Sequence, residues 1–224
     1  MQFIFQFLRM TSPATVGCTG DVCDADSAPA SAQSIFDFSA ETIAGETVSL
    51  STFRGKKAFL VVNVACQWGL TSSNYAQLGE LYSRYAAEGL EILAFPCTYP
   101  CAWCRLWLCC PILFILSHGV AGNLFYQERG TNADISEFAK EHNVQFPMMA
   151  KIDCSRSDSG HPLFKFLTDS VVTPGWKTAI FGNGLKWNFS KFLCDKNGTP
   201  VHRYEPSVSP LEIETAIQEL LAKE

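Results

Sequence analysis

The apolar and polar positions of this chain fall into a sequence of distinct periods. Ile35–Leu50 alternates and turns at Ala44-Gly45, which predicts a hairpin. Lys57–Ala65 (KAFLVVNVA) is almost unbroken apolar sequence with several β-branched residues, the pattern of a central strand covered on both faces. Tyr75, Leu78, Leu81, Tyr82 and Tyr85 then recur at helical spacing, which predicts a helix over about 74–87 with Ser72 or Ser73 as its cap and Gly89 as its stop. Leu90–Phe95 is a second apolar strand. Together these segments predict one β-α-β unit, hence a parallel pair with a right-handed crossover.

Downstream the periods are shorter. A short helix is expected after Thr131, Asn132 and Ala133, through about Glu141, with Ile135 and Phe138 inward, and a third strand over Met148–Asp153. Pro162–Thr168 reads as a helical turn. Lys191–Asp195 and Val201–Tyr204 flank Lys196-Asn197-Gly198, an Asn-Gly signal for a tight hairpin. Pro210–Lys223 closes the chain as an amphipathic helix carrying Leu211, Ile213, Ile217, Leu220 and Leu221. The expected class is α/β, a central mixed sheet flanked by helices, on the thioredoxin-like plan.

Two segments depart from this pattern. Residues 1–34 have no apolar period after Met10 and are rich in Ser, Ala, Thr and Pro, so they read as a mobile N-terminal leader ahead of a domain at 35–224. The first ten residues lack the basic start of a secretory signal, and Asp21, Asp24 and Asp26 do not suit a transit peptide. Thr98–Gly122 is apolar, broken by Pro111, and too short to span a bilayer. It holds four of the ten cysteines and two of the five tryptophans, so it reads as a compositionally foreign insertion, such as a retained intron. Its Cys101-Ala-Trp-Cys104 follows the second strand instead of the first, away from a thioredoxin redox position.

Composition narrows the function classes. The 224 residues carry 17 basic and 22 acidic side chains, a net charge of −5, which does not suit nucleic acid as the main partner. Outside the leader and the insertion only Cys66, Cys97, Cys154 and Cys194 remain, too few for a disulfide scaffold. Neither a phosphate-binding loop nor a metal-ligand set with normal spacing is found.

The string Val62-Asn-Val-Ala-Cys-Gln-Trp-Gly-Leu-Thr71, with Lys186-Trp187-Asn188-Phe189-Ser190-Lys191-Phe192 downstream, closely resembles the glutathione peroxidases. Leu90–Cys97, Gln127–Ile135, Asp195–Gly198 and Arg203-Tyr204 agree, and the resemblance spans 34–221 apart from the insertion. It implies reduction of hydrogen peroxide and organic or lipid hydroperoxides, with glutathione or another thiol as co-substrate and no prosthetic cofactor. It also implies a catalytic tetrad of a chalcogen residue with a Gln, a Trp and an Asn. By motif these fall on position 68, Gln127, Trp187 and Asn188.

Position 68 carries Trp, and an indole has no low-pKa group to oxidise and regenerate. Three readings are open there: a selenocysteine codon written as Trp, a natural inactive variant kept for interaction or redox sensing, or Cys66 standing in. Cys66 occupies a place where the family commonly has Ser. Ser136–Asn143 lacks the resolving Cys of thioredoxin-dependent members, so direct reduction by a small thiol is expected. The short stretch 168–185 resembles the monomeric, phospholipid-hydroperoxide type. Lys177, Lys186 and Arg203 are the expected basic contacts for glutathione or a lipid surface, although Leu70 stands where the family often has Lys. Cytoplasmic residence is expected, with mitochondrion or plastid as the alternative. His142, His161 and His202 are expected on the solvated surface.

Overall fold

A computed structural model describes residues 32–98, 128, 130–154, 160–171, 183–185 and 187–223. The leader before residue 32 and the insertion lie outside the described residues. Ser34, assigned to the leader by composition, in fact caps the first element. Its hydroxyl accepts from the Phe36 N–H at 3.1 Å, in a capping box with Asp37, at a 3-10 turn over Ile35–Asp37.

The expected hairpin is β1 (Ser39–Glu41) paired antiparallel with β2 (Thr47–Ser49), turning where Gly45 adopts a φ of 89°. β3 (Ala58–Val64) is buried at every position, as its apolar run requires. Helix α1 (Thr71–Tyr85) and a 3-10 turn (Ala86–Glu88) lead to Gly89, whose φ of 114° ends the crossover. β4 (Leu90–Thr98) returns parallel to β3 in register from Ala58↔Leu90 to Val64↔Pro96. α2 (Asn132–Glu141) starts at a Thr131–Asp134 capping box and buries Ile135 and Ala139, with Phe138 only partly covered. β5 (Ile152–Asp153) pairs parallel with the end of β4, and α3 (Pro162–Ser170) follows. β6 (Lys191–Cys194) and β7 (Pro200–Tyr204) are antiparallel, and α4 (Glu214–Leu221) comes last.

The main sheet has the order β5-β4-β3-β6-β7, parallel on one side of β3 and antiparallel on the other. This is the mixed sheet expected of a thioredoxin-like fold. Alternation along the central strands divides the core into two layers. Leu60, Val62, Val64, Ile92 and Ala94 pack under α1, α2 and α4, while Phe59, Val61, Leu93 and Phe95 face the 3-10 turn at Ile35 and α3. Each fully buried Val, Leu, Ile or Phe among these contributes roughly 1.5–3 kcal/mol of transfer free energy.

Four local expectations are corrected. α1 begins at Thr71, not Asn74, and neither Ser72 nor Ser73 caps it. The Ser73 hydroxyl donates to the Leu70 carbonyl at 3.0 Å instead. The Asn197-Gly198 hairpin is not a two-residue turn. It is a longer turn in which Asp195 Oδ1 accepts from the N–H groups of Asn197 and Thr199, both at 2.9 Å, and only Gly198 takes a positive φ. The strand expected at 148–153 shrinks to two residues plus single bridges, Met148 to Ala94 of β4 and Met149 to Thr42 beside the hairpin. The closing helix splits into a 3-10 turn over Pro210–Ile213 and α4, with Pro210 at the start of the turn.

Candidate active site

Where β3 ends, residues 65–70 form the loop that carries position 68 to the start of α1. Thr71 folds this loop on itself. Its hydroxyl donates to the Ala65 carbonyl at 2.9 Å and accepts from the Trp68 backbone N–H at 2.9 Å, while its own N–H donates to the Trp68 carbonyl at 2.9 Å. The Leu70 carbonyl then receives the Asn74 backbone N–H at 3.0 Å and its side-chain amide at 2.9 Å. Residue 68 therefore sits at the positive end of a 15-residue helix. Its indole is half-buried and stacks on Phe189, with centroids 5.5 Å apart and planes at 18°.

Phe189 comes from the turn ahead of β6, and Asn63 of β3 holds that turn. The Asn63 amide donates to the Trp187 carbonyl at 3.2 Å, its Oδ1 accepts from the Ser190 N–H at 2.9 Å, and its backbone carbonyl accepts from the Phe189 N–H at 2.6 Å. A polar residue in the middle of a fully buried strand is retained because every arm of it is used. The grip keeps Phe189 at a φ of 61°, unusual for a bulky residue. Asn188 is buried and Trp187 half-buried within this turn. Three of the residues expected at the site, Trp68, Trp187 and Asn188, are thus joined through Phe189.

A second cluster lies beneath the loop. Glu128 is 1% exposed, and its Oε2 accepts the Cys66 backbone N–H at 2.8 Å. Burial, reinforced by the adjacent carboxylate, pushes the Cys66 thiol far up, so it rests protonated. Burial also raises Glu128, against the opposing pull of Cys66 and of Lys151. Lys151 donates to the Gly130 carbonyl at 3.0 Å. Tyr75, 2% exposed and raised chiefly by burial, feels both Cys66 and Glu128, and its hydroxyl has no hydrogen-bond partner.

Gln127, Lys177 and Lys186 lie outside the described residues. Arg203 is partly buried, and its guanidinium donates to the carbonyls of Asn183 at 2.6 Å and Gly184 at 2.9 Å, anchoring that segment. Lys191 is fully buried, bonded to the Val208 carbonyl at 2.6 Å, and burial pushes it down to about 8. Leu70, 44% exposed, is the one large exposed hydrophobic among the described residues and borders position 68. His161 departs from the solvated expectation, since it caps α3 by accepting from the Leu163 N–H at 3.3 Å and packs on Phe95. Sequence reasoning missed Asn63, Glu128 and Thr71. Asn63 had a visible signal, a lone amide in an apolar strand; Glu128 had none, because only tertiary contact buries it. Among the described residues no three metal-ligating side chains converge, and no helix is long and apolar enough to cross a membrane.

Comparison with known proteins gives a consistent result. A family model described as "Glutathione peroxidase" matches residues 35–100. The chain is 42% identical over 202 residues to a "Phospholipid hydroperoxide glutathione peroxidase" of Callithrix jacchus, covering 90% of this chain and 87% of that one. It is 40% identical over 190 residues to the "Probable phospholipid hydroperoxide glutathione peroxidase 6, mitochondrial" of Arabidopsis thaliana, covering 84% and 68%. The solved structure of T. cruzi GPX1 superposes with a TM-score of 0.56 at 30% identity, covering 84% of this chain and 96% of that one.

Proposed function

The chain belongs to the glutathione peroxidase family, and we propose that its activity is the reduction of hydroperoxides by glutathione or a similar thiol at position 68, which in the working enzyme is a selenocysteine or cysteine. The observation that supports this most is the seat of residue 68, at the N-terminus of α1 and in contact with the Trp187–Ser190 turn. A chalcogenolate there is favoured by the helix dipole. It attacks the peroxide, the O–O bond breaks, and the departing alkoxide takes a proton to become the alcohol. Two thiols then return the oxidised residue to its resting state, releasing a disulfide and water. The Trp187 indole N–H and the Asn188 and Gln127 amides are donor types suited to the chalcogenolate and the developing oxyanion.

With Trp68 in place this route is closed, so the chain carrying it is impaired. The test is Trp68→Cys, assayed by glutathione-dependent peroxide consumption. A gain of at least about 100-fold over the Trp68 chain is expected, as a nucleophile replaces none. Equal rates for the two proteins would refute the assignment. Peptide mapping of residue 68 in the natural protein decides between a selenocysteine codon and a true Trp.

A second reading has its own support. The Trp68 indole lies stacked on Phe189 and packed against the core instead of standing free, as a natural variant kept for interaction or sensing would have it. The chain acts as a monomer, with the basic residues Lys177 and Lys186 as its contacts to glutathione or a lipid surface; Arg203, expected with them, instead spends its guanidinium on the Asn183 and Gly184 carbonyls. It resides in the cytoplasm, or in an organelle like the relative whose name carries a mitochondrial location.

A further inference from the structure

We propose that Cys66 is a second peroxide-reactive site, in which the Glu128 carboxylate takes the thiol proton as sulfur attacks a small hydroperoxide and the Tyr75 hydroxyl donates to the departing oxygen. This goes beyond the reading of position 68 and does not depend on it, since it concerns the chain that carries Trp68.

Three groups converge at this place. Cys66 is a free thiol, partly exposed on the loop two residues before position 68. Glu128 holds residue 66 by the 2.8 Å bond to its backbone N–H, which sets the carboxylate close enough to the thiol to raise it. Tyr75, rooted in α1 and stacked edge-on against Phe189 at 5.9 Å, presents a buried hydroxyl whose hydrogen-bonding capacity is unused. Tyr75 is placed within electrostatic reach of both Cys66 and Glu128. The positive group near this pair is Lys151, beside the chain at Gly130. A hydroperoxide requires a nucleophile, a base for the nucleophile's proton and a donor for the leaving oxygen. The cluster supplies one of each, and the unspent Tyr75 hydroxyl is the part that a purely structural role for Cys66 leaves unaccounted for.

The step balances without a further reagent. The Cys66 S–H bond breaks as the S–O bond forms, sulfur gives two electrons to the peroxide, and the O–O bond breaks. The thiol proton passes to Glu128 and on to the departing alkoxide, giving a sulfenic acid at residue 66 and an alcohol, or water from hydrogen peroxide. Because the resting thiol is protonated, the reaction is slower than at a free thiolate. It suits a sensor or a residual activity more than fast turnover.

The experiment treats the full Trp68 chain with hydrogen peroxide and a dimedone probe, then maps tagged peptides by mass. Cys66 is expected to label at least about tenfold faster than Cys97, Cys154 or Cys194, and Cys66→Ser to remove that peptide's tag. Glu128→Gln is expected to slow Cys66 labelling by about 100-fold, the usual weight of general-base assistance. Tyr75→Phe removes only a hydroxyl that bonds nothing, so it stays folded and serves if the Glu128 variant does not; it is expected to slow labelling by about tenfold. The proposal is overturned if Cys66 labels no faster than the buried Cys194, or if the folded variants label at the parent rate.

Discussion

Replacing Asn63 by Ala tests whether a single buried amide builds the turn that faces position 68. The change removes the bond from its Nδ2 to the Trp187 carbonyl, 3.2 Å, and the acceptor of the Ser190 N–H, 2.9 Å. The two losses are unequal. The Trp187 carbonyl keeps the Ser190 hydroxyl at 3.2 Å, so only about 0.5–1 kcal/mol goes with the first. Ser190 is 1% exposed and its N–H is left without an acceptor, which costs about 1–3 kcal/mol. The sum is about 3 kcal/mol. For a domain of this size each kcal/mol lowers Tm by about 2–4 °C, so the expected loss is about 6–12 °C. Urea and thermal unfolding of Asn63→Ala, beside Ser190→Ala as the control that removes only the shared 3.2 Å bond, measure this. Tryptophan emission should also shift, because Phe189 is freed to leave its φ of 61° and release the Trp68 stack. A loss below about 1 kcal/mol, or an equal loss in the Ser190 control, would refute the clamp.

The other predictions concern separate parts of the fold. Gly198→Ala places a Cβ 2.6 Å from Ser34 Oγ and 2.9 Å from Ile35 Cγ1 at a φ of 76°, so a stability loss of about 2–3 kcal/mol is expected in urea unfolding. Tyr75→Phe removes a buried hydroxyl with no partner and should raise stability by about 1 kcal/mol, a gain that calorimetry can read as a higher Tm. Lys191, pushed down to about 8 from 10.5, binds its proton more weakly when folded than when unfolded. Stability relative to Lys191→Met should therefore rise as pH climbs through about 8 to 10.5, by at most about 1.4 kcal/mol per pH unit. A difference that stays level across that window in pH-dependent denaturation would contradict it.

The chain shows most of this fold in its own periods. The apolar runs at 57–65 and 90–95 could belong only to covered strands, and the tyrosine and leucine stripe between them only to a crossover helix. The boundaries that failed did so where tertiary contact overrode local signals. Thr71, not a serine, begins α1 because its hydroxyl is engaged by Ala65 and Trp68 on the preceding loop. Motif resemblance placed position 68, Trp187 and Asn188 together, although more than a hundred residues separate them. What it did not reveal was how they are held. Asn63, Glu128 and Lys191 are polar residues whose meaning depends on burial, and burial of an isolated polar residue is not written in a hydropathy pattern.

The contact between Ser34, Ile35 and the turn at Gly198 has a consequence for engineering. β6 runs antiparallel to β3, so Lys191 lies opposite Val62 near position 68, while the turn after Cys194 lies beyond Phe59 at the other end. The Ser34 hydroxyl meets the Asn197 carbonyl at 2.8 Å and the Ile35 N–H meets the Gly198 carbonyl at 2.9 Å, so the described chain enters the sheet at that far pole. Six strand residues, about 20 Å, lie between this entry point and the mouth of the loop. An affinity handle, a fluorophore or a surface tether attached at Ala32 is therefore anchored away from the chemistry.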